Sequence, residues 1–199
     1  MIVAAIGDVH ANLPALEAVI ADARRQGAEA FWNIGDFVGY GAFPEECVNL
    51  LREIGATSIQ GNYDAKVLKV KKKHDKWSKT KNPLVFQAFN WAYDHLSEEN
   101  RKYLKELPEE LRLEAEGWDI LMVHGSPASQ EEHLGPSTPD ERLRELAGMT
   151  EAKIILCGHS HQAFTRWAGE TLFVNTGSVG RPDDGDPRAT YALLELGLL

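Results

Sequence analysis

Residues 158–161 read Gly-His-Ser-His and follow an apolar run, so two imidazoles stand two positions apart where a predicted strand ends. Asp8 and His10 repeat this spacing after the apolar run at 2–6. Imidazole nitrogens and carboxylate oxygens are ligands of divalent transition metals. A continuing strand would place both histidines on one face, whereas Gly158 allows the backbone to turn sharply. We expect the two histidines to point toward different bound ions.

Five predicted strands share this pattern, because each is followed at once by glycine or histidine and then by metal-ligand residue types. The strands are expected at 2–6, 30–34, 57–60, 119–123 and 153–157, and the residues that follow them are Asp8, His10, Asp36, Asn62, Asp64, His124, His159 and His161. Each motif alone is typical of a turn or cap. Together they are expected at one edge of an α/β sheet, where the carboxyl ends of strands gather.

The candidate ligands offer oxygen and nitrogen but no thiolate, which suits Mn, Fe, Zn, Ni or Co. They are too many for one tetrahedral ion that keeps an open position. They suit two ions that share a carboxylate, an arrangement roughly 3.5–4 Å across that clamps phosphoryl groups. The pattern therefore predicts a dinuclear centre.

The order of the elements predicts an α/β protein with mixed sheets. The first third reads β-α-β-α-β, with helices at 13–25, after Asn12 as N-cap, and at 44–54. Further helices are expected at 83–96, at 97–107 with Ser97 as cap, and from a capping box at 138–141 to residue 147. Further strands are expected at 111–115, 163–167, 171–174 and 190–196.

Composition narrows the class of protein. With 199 residues and 43% hydrophobic composition, we expect one domain over 1–199 with a helical insert at about 66–108. No apolar run approaches the ~18 residues of a membrane span, and the N-terminus does not read as a signal peptide. Two cysteines provide no disulfide framework, which favours a reducing cytoplasm. A net charge of −9 argues against nucleic acid as a partner, except as a nucleotide substrate.

Residues 66–81 are strongly basic in this acidic chain, with eight lysines and one acid, Asp75. They could attract phosphorylated substrates, or they could form a solvated, mobile connector. The aromatic helices at 83–107 are expected to form a cap or an extra layer. Alternatively, an exposed Trp77 or Trp91 could make the surface of a homo-oligomer.

The ordered motifs GDVHAN, GD, GN-x-D, HGSP and GHSHQ, within residues 7–162, resemble those of the calcineurin-like metallophosphoesterase family. FVNTGSVGRP, at 173–182, resembles the tail of its compact prokaryotic phosphodiesterase branch. The resemblance implies two mixed β-sheets packed face to face and flanked by helices, a four-layer α/β/β/α sandwich. It also implies a hydrolase of small phosphorylated substrates that uses two divalent ions, Mn above all.

The resemblance further implies a role for each ligand. Asp8, His10, Asp36 and His161 would hold the first ion, and Asp36, Asn62, His124 and His159 the second. Asp36 would then bridge the ions, and a hydroxide between them would attack phosphorus in line. Asn62 would also contact the substrate.

One position departs from the family pattern. Tyr63 stands where the family usually has a histidine that donates a proton to the leaving oxygen. The substrate could need little help at that step, Tyr63 or another acid could donate, or the enzyme could be weakened. Asp64 could support residue 63 or a ligand histidine, or simply cap a turn. Arg181 could bind a substrate phosphate, or form a surface ion pair.

These features favour a phosphodiesterase or a nucleotide hydrolase. A serine/threonine-type protein phosphatase is the rival within the same chemistry. The alternative from a different class of function is a metal-holding scaffold that binds a protein without turnover. Tyr63 is the feature that supports this alternative. A nucleic-acid-binding module would depend on the lysine run alone.

Overall fold

The computed structural model describes residues 1–197, so the last two residues of the predicted domain lie outside the described ones. The first sheet has the order β3-β2-β1-β9. Its strands are β1 (Ile2–Ile6), β2 (Ala30–Asn33), β3 (Thr57–Ser58) and β9 (Ala192–Glu195). β1, β2 and β3 are parallel, and β9 pairs antiparallel with β1. Helices α1 (Leu13–Arg25) and α2 (Pro44–Glu53) connect the parallel strands, as the sequence predicted.

The second sheet has the order β4-β5-β6-β8-β7 and is also mixed. Its strands are β4 (Glu110–Ala115), β5 (Trp118–Val123), β6 (Ile154–Cys157), β7 (Phe164–Ala168) and β8 (Thr171–Asn175). β5, β6 and β8 run parallel, while β4 and β7 form antiparallel edges. Both sheets therefore direct the carboxyl ends of parallel strands into loops, which is the arrangement that places ligands at a sheet edge.

The two sheets pack face to face, because alternate residues of each strand point to opposite sides. From β1, Val3 and Ala5 join an apolar cluster with Ile120 and Leu156 of the second sheet. The neighbouring β1 residues Ala4 and Ile6 point the other way, into a cluster with the helices of the first third. Outside the second sheet, helix α7 (Asp140–Ala147) packs Leu143 and Leu146 onto that sheet's outer face. The four-layer α/β/β/α sandwich is confirmed.

Four helices lie between the two sheets in sequence: α3 (Asn62–Lys69), α4 (His74–Thr80), α5 (Pro83–His95) and α6 (Glu98–Glu106). Helices α5 and α6 confirm the helices that were predicted at 83–96 and 97–107. α3 and α4 contain four of the eight lysines of the basic run, and the exposed Lys71, Lys72 and Lys73 lie in the turn between these two helices. Val67 of α3 and Phe89 of α5 are both fully buried in the core cluster of the first sheet, which holds these helices on the sandwich.

Local capping was predicted correctly at two helices and wrongly at one. The side chains of Asn12 and Ser97 accept hydrogen bonds from Ala15 N and Asn100 N, as expected of N-caps. The capping box at 138–141 is wrong, because α7 begins at Asp140 and Pro139 occupies its N-cap position. Thr138 is one residue too early, and its hydroxyl instead accepts from Gly135 N at 2.8 Å.

The strand predicted at 57–60 is shorter than expected, because β3 ends at Ser58. Helix α3 then begins at Asn62, directly after Gly61.

Among residues 1–197, each helix is too short or too polar to traverse a lipid bilayer.

Candidate metal centre

The loops that follow the strands bring five of the seven predicted ligands together in two compact groups, while Asn62 and His159 lie outside these groups and line the adjoining cavity. Asp8, His10 and His161 form the first group, and Asp8, Asp36 and His124 form the second. Within each group the ligand atoms lie within 4.8 Å of one another, and all of these residues are buried. Two stretches at opposite ends of the chain, around Asp8 and around His161, thus meet in one place.

The carboxylate of Asp36 faces one histidine from each predicted ion set. Its Oδ2 lies 3.4 Å from Nε2 of His124 and 3.8 Å from Nε2 of His10. Its Oδ1 accepts a hydrogen bond from the backbone N–H of Tyr63 at 2.7 Å, which holds the carboxylate in this orientation. Such a position suits a bridging ligand. Of the two carboxylates, however, it is Asp8 that belongs to both groups, although the resemblance assigned it to the first ion alone and gave the bridging role to Asp36.

Backbone carbonyls fix the imidazole orientation of two candidate ligands. Nδ1 of His10 lies 3.2 Å from the carbonyl oxygen of Val38, and Nδ1 of His124 lies 2.8 Å from that of Ile34. When Nδ1–H donates to a carbonyl, Nε2 keeps its lone pair for a metal. Nε2 of His10 lies 3.0 Å from Nε2 of His161, so the two rings converge on the same point.

Five buried nitrogen and oxygen atoms that belong to the predicted ligand residues have no hydrogen-bond partner within the described residues. They are Oδ1 of Asp8, Oδ1 of Asn62, Nε2 of His124, Nε2 of His159 and Nδ1 of His161. Buried polar atoms are almost always paired, because an unpaired one costs about 1–3 kcal/mol. An oxygen and nitrogen set without partners in one place fits divalent transition-metal ions.

The backbone at the site is held in an unfavourable conformation. Among residues 1–197, seven non-glycine residues have positive φ, and five of these are predicted ligands: Asp8, His10, Asp36, His159 and His161. Each such residue costs of order 1–3 kcal/mol unless its surroundings hold it. Contacts between loops do so: Asp8 N donates to Gly35 O at 3.1 Å, and His159 N donates to Oδ2 of Asp8 at 2.9 Å. Strain concentrated in this way indicates a functional site.

Charge and burial shift the pKa values of two ligand histidines in opposite directions. Burial alone would lower the pKa of His124, but the adjacent Asp36 carboxylate outweighs it and raises that pKa to about 10. Burial, with help from His124 and His133, lowers the pKa of His159 to about 4. His159 is therefore neutral at pH 7 and offers a lone pair. His124 must release its proton when it binds a metal ion, which makes metal affinity dependent on pH.

Tyr63 lies beside the ligands and is hydrogen-bonded to a second tyrosine. Its hydroxyl contacts the hydroxyl of Tyr40, and its ring packs edge-on against His10 with 5.2 Å between centroids. Burial, followed by the hydrogen bond with Tyr40, raises the pKa of Tyr63 above its ordinary value. Tyr63 therefore stays protonated at neutral pH, so it can act as a hydrogen-bond donor there.

The contacts of Asp64 are those of a backbone cap. Its carboxylate accepts N–H groups of Gly61 at 2.9 Å, Asp36 at 3.0 Å and Val38 at 3.3 Å. Burial and the Asp36 carboxylate raise the pKa of Asp64 to about 8 in spite of these donors. Asp64 thus ties the loop after β2 to the first turn of α3. A direct role in the reaction stays a prediction.

A cavity of about 250 Å³ opens onto these ligands, and Arg181 and Tyr63 line it. The guanidinium of Arg181 lies 4.6 Å from the ring centroid of Tyr40. Its separation from the Asp183 carboxylate is 4.0 Å, at the limit of an ion pair. Arg181 therefore presents a cation to the cavity that no close carboxylate neutralises among the described residues.

The sequence analysis missed three residues of the site: Tyr40, which contacts Tyr63, and also Glu131 and His133. Oε2 of Glu131 accepts a hydrogen bond from Nδ2 of Asn62 at 2.9 Å, and Glu131 also pairs with Lys66 at 2.9 Å. The ring of His133 lies 4.3 Å from that of His159. Glu131 and His133 lie in the long loop after β5, well beyond His124, so a search of the residues next to strand ends did not find them. Their nearness to the HGSP motif was the one available signal.

The two-sheet sandwich and this convergent ligand set define a phosphoric ester hydrolase that uses divalent metal. The chain belongs to the calcineurin-like phosphoesterase superfamily, whose domain model matches residues 1–197.

Two further comparisons agree with this membership. The chain is 32% identical to the uncharacterized protein MJ0912 of Methanocaldococcus jannaschii over 97% of this chain and 82% of that protein. It is 31% identical to a metallophosphoesterase from Sphaerobacter thermophilus, with a TM-score of 0.79 over 98% of this chain and 84% of that structure. The hypothetical protein PH1004 from Pyrococcus horikoshii shares the fold, with 21% identity and a TM-score of 0.84 over 99% of this chain and 88% of that structure.

Proposed function

We propose that this protein is a dinuclear phosphodiesterase or nucleotide hydrolase of small phosphorylated substrates, with Mn²⁺ as its preferred ion. The observation that carries the proposal is the convergence of Asp8, His10, Asp36, His124 and His161 in two overlapping groups, with unpartnered buried atoms on Asp8 and His124. A cytoplasmic location is part of the proposal, because Cys47 and Cys157 are both buried free thiols, the state that a reducing compartment maintains.

The ligands would divide between two ions. Asp8, His10 and His161 would hold one, and His124, His159 and Asn62 the other, with Asp36 between them. When bound, such ions supply Lewis-acid stabilisation of the charge that develops on the phosphoryl oxygens, together with a water molecule activated at neutral pH.

The remaining residues would orient the substrate and handle the leaving group. Arg181 can bind a phosphate oxygen through two parallel N–H groups, which orients the phosphoryl group in the cavity. The amide of Asn62 can contact the substrate as well as the ion. Tyr63 keeps its proton at neutral pH and can donate it, or a hydrogen bond, to the leaving oxygen, and Tyr40 orients the phenol for this task.

A diester substrate is proposed because residues 173–182 resemble the tail of the compact prokaryotic phosphodiesterase branch. A phenol is a weaker acid than an imidazolium, so Tyr63 suits leaving groups that need little protonation, such as a nucleotide or an activated aryl phosphate. The basic run is a further candidate for attracting the substrate, and Lys66 is its member that lines the cavity.

The test is hydrolysis of bis-p-nitrophenyl phosphate and of p-nitrophenyl phosphate after chelation and addition of Mn²⁺ or Ni²⁺. We expect two ions per chain by elemental analysis and faster hydrolysis of the diester. Asp36→Asn should abolish both the binding of two ions and the hydrolysis of the diester. The control Asp94→Asn, at an exposed ion pair with Lys71, should keep both. A single ion per chain at saturation would contradict the dinuclear proposal.

The scaffold alternative has one specific observation in its favour, the tyrosine at position 63. It predicts that the metal-loaded protein hydrolyses neither ester. A protein phosphatase would instead prefer the monoester and release phosphate from phosphoserine or phosphothreonine peptides. The same assay therefore separates the three functions.

A further inference from the structure

A second cavity, of about 620 Å³, adjoins the one that opens onto the candidate metal ligands. Tyr40 and Arg181 line both cavities. A molecule whose phosphate lies at the metal centre can therefore extend past these two side chains into the second space. The other walls come from the loop after β2 and from α5 between Leu84 and Trp91.

The walls of this cavity are apolar and unusually exposed. Leu84 is 74% exposed and Trp91 is 45% exposed, although both are large hydrophobic residues. Val85 and Ala88 complete this surface, and the exposed amide of Gln87 lies at its rim. A contiguous apolar surface open to solvent typically marks a binding site.

The indole of Trp91 is a rigid part of this wall. Its Nε1–H donates to the carbonyl oxygen of Ala42 at 3.1 Å. The ring of His95 stacks on it with 3.6 Å between centroids and 23° between planes. An aromatic side chain held in place loses little conformational freedom when a planar ligand packs against it.

Arg181 lies where the two cavities meet, over the ring of Tyr40. A guanidinium at this boundary can hold a phosphate while the group esterified to that phosphate enters the apolar space. The combination of a cation, a fixed aromatic ring and an amide is suited to a nucleotide, whose base stacks on aromatic side chains and hydrogen-bonds at its edges.

We propose that the second cavity is a base subsite, so that the substrate is a nucleoside phosphodiester with its base against Trp91. This inference rests on the proposed phosphodiesterase function and names its substrate class.

The test compares two esters with the same leaving group. Thymidine 5′-(p-nitrophenyl phosphate) carries a base on the retained side, whereas ethyl p-nitrophenyl phosphate does not. With Mn²⁺ bound, we expect kcat/KM to favour the thymidine ester by roughly tenfold, mainly through a lower KM, as a stacked base provides. Trp91→Ala should remove this preference. The control Trp167→Ala, at a 61% exposed tryptophan on β7, should keep it.

Binding without turnover provides an independent measurement. In calorimetric titrations of the wild-type protein, thymidine 5′-monophosphate should bind roughly tenfold more tightly than inorganic phosphate. In Trp91→Ala the two affinities should become equal. Leu84→Ser, at an exposed position where a folding defect is not expected, should also weaken the binding of thymidine 5′-monophosphate relative to inorganic phosphate.

The outcomes separate the two proposals. If neither ester is hydrolysed by the metal-loaded protein, the phosphodiesterase function fails. The base subsite fails, while the function stands, if both esters are hydrolysed with the same kcat/KM. In that case Trp91→Ala would change neither the kcat/KM ratio of the two esters nor the affinity ratio of thymidine 5′-monophosphate and inorganic phosphate. A concentration-dependent dimer in sedimentation that Trp91→Ala dissociates would also overturn the subsite, because the surface would then contact a second copy of the chain.

Discussion

Glu131 accepts a hydrogen bond from the side-chain amide of Asn62, 69 residues earlier in the chain, at 2.9 Å. Because Nδ2 of Asn62 is the donor, Oδ1 is left as the free atom of that amide. This Oδ1 is buried and has no partner among the described residues. Glu131 is thus a positioning residue that determines which atom of Asn62 is available to a metal ion.

We therefore expect Glu131→Ala to weaken binding of one of the two ions by about 10–100-fold, the usual effect of losing a group that orients a ligand. The measurement is metal stoichiometry during titration with a competing chelator. Lys66→Met is the matched control, since it removes the ion pair with Glu131 but leaves the contact with Asn62. Equal loss of metal in both variants would show that charge, and not the amide contact, is responsible.

Tyr63→His should raise turnover mainly on substrates with poor leaving groups. An imidazolium has a pKa closer to neutral pH than a phenol, so it transfers its proton more readily where protonation limits the rate. We expect a shallower dependence of log kcat on leaving-group pKa over a series of aryl and alkyl diesters. An equal gain on every substrate would contradict this assignment of Tyr63 to the leaving-group side.

Gly158→Ala should disrupt the metal centre while most of the fold is kept. A Cβ at this position would lie 2.5 Å from Oδ2 of Asp8, too close for any real contact, so the carboxylate must move. We expect loss of metal binding, with far-ultraviolet circular dichroism close to that of the wild type. Gly148→Ala is the control, because the nearest atom to its Cβ is an ordinary 3.4 Å away and its φ is −69°. Full metal binding by Gly158→Ala would contradict the expectation that the Asp8 carboxylate cannot move without disrupting the centre.

The metal-free protein should lose stability as pH rises from 7 toward 10. The folded pKa of His124 is raised to about 10 by Asp36, above an ordinary value of 6.5. Its stabilising contribution is therefore complete below pH 6.5 and is lost as pH rises through 10. Asp64 acts in the same direction but at lower pH. Its pKa is about 8 in the folded protein against an ordinary 3.8, so its stabilising contribution is lost between those values and adds to the fall only up to about pH 8.

The measurement is the midpoint of thermal unfolding in the presence of a chelator at several pH values. We expect a fall of at least about 4 °C between pH 7 and 10. Asp36→Asn should flatten the profile, since it removes the charge that raises both pKa values. A midpoint that is constant or rises over this range in the wild type would rule out this account.

Much of the centre could be predicted from sequence because its determinants are local. Each ligand follows a strand within a few residues, as with Asp36 after β2 and His124 after β5. The strand itself is visible as a short continuous apolar run, and the α/β order then places its end at a ligand edge. The ends of helices and strands were predicted less well. Helix α3 was missed because Asn62 was assigned to a loop, whereas it is the first residue of this helix. The burial of Val67, which holds α3 on the sandwich, cannot be recognised before the helix packs.

Other features were decided by tertiary structure alone, since they depend on contacts between segments that no local pattern relates. Packing of the loop after β5 against α3 joins Glu131 to Asn62. The antiparallel pairing of β9 with β1 and the meeting of Tyr40 with Arg181 likewise depend on how distant segments settle on the sandwich. Residue types and short spacings thus specified the chemistry of the ligands. Burial and packing decided which atoms of those ligands remain free, because only the folded chain excludes water from them.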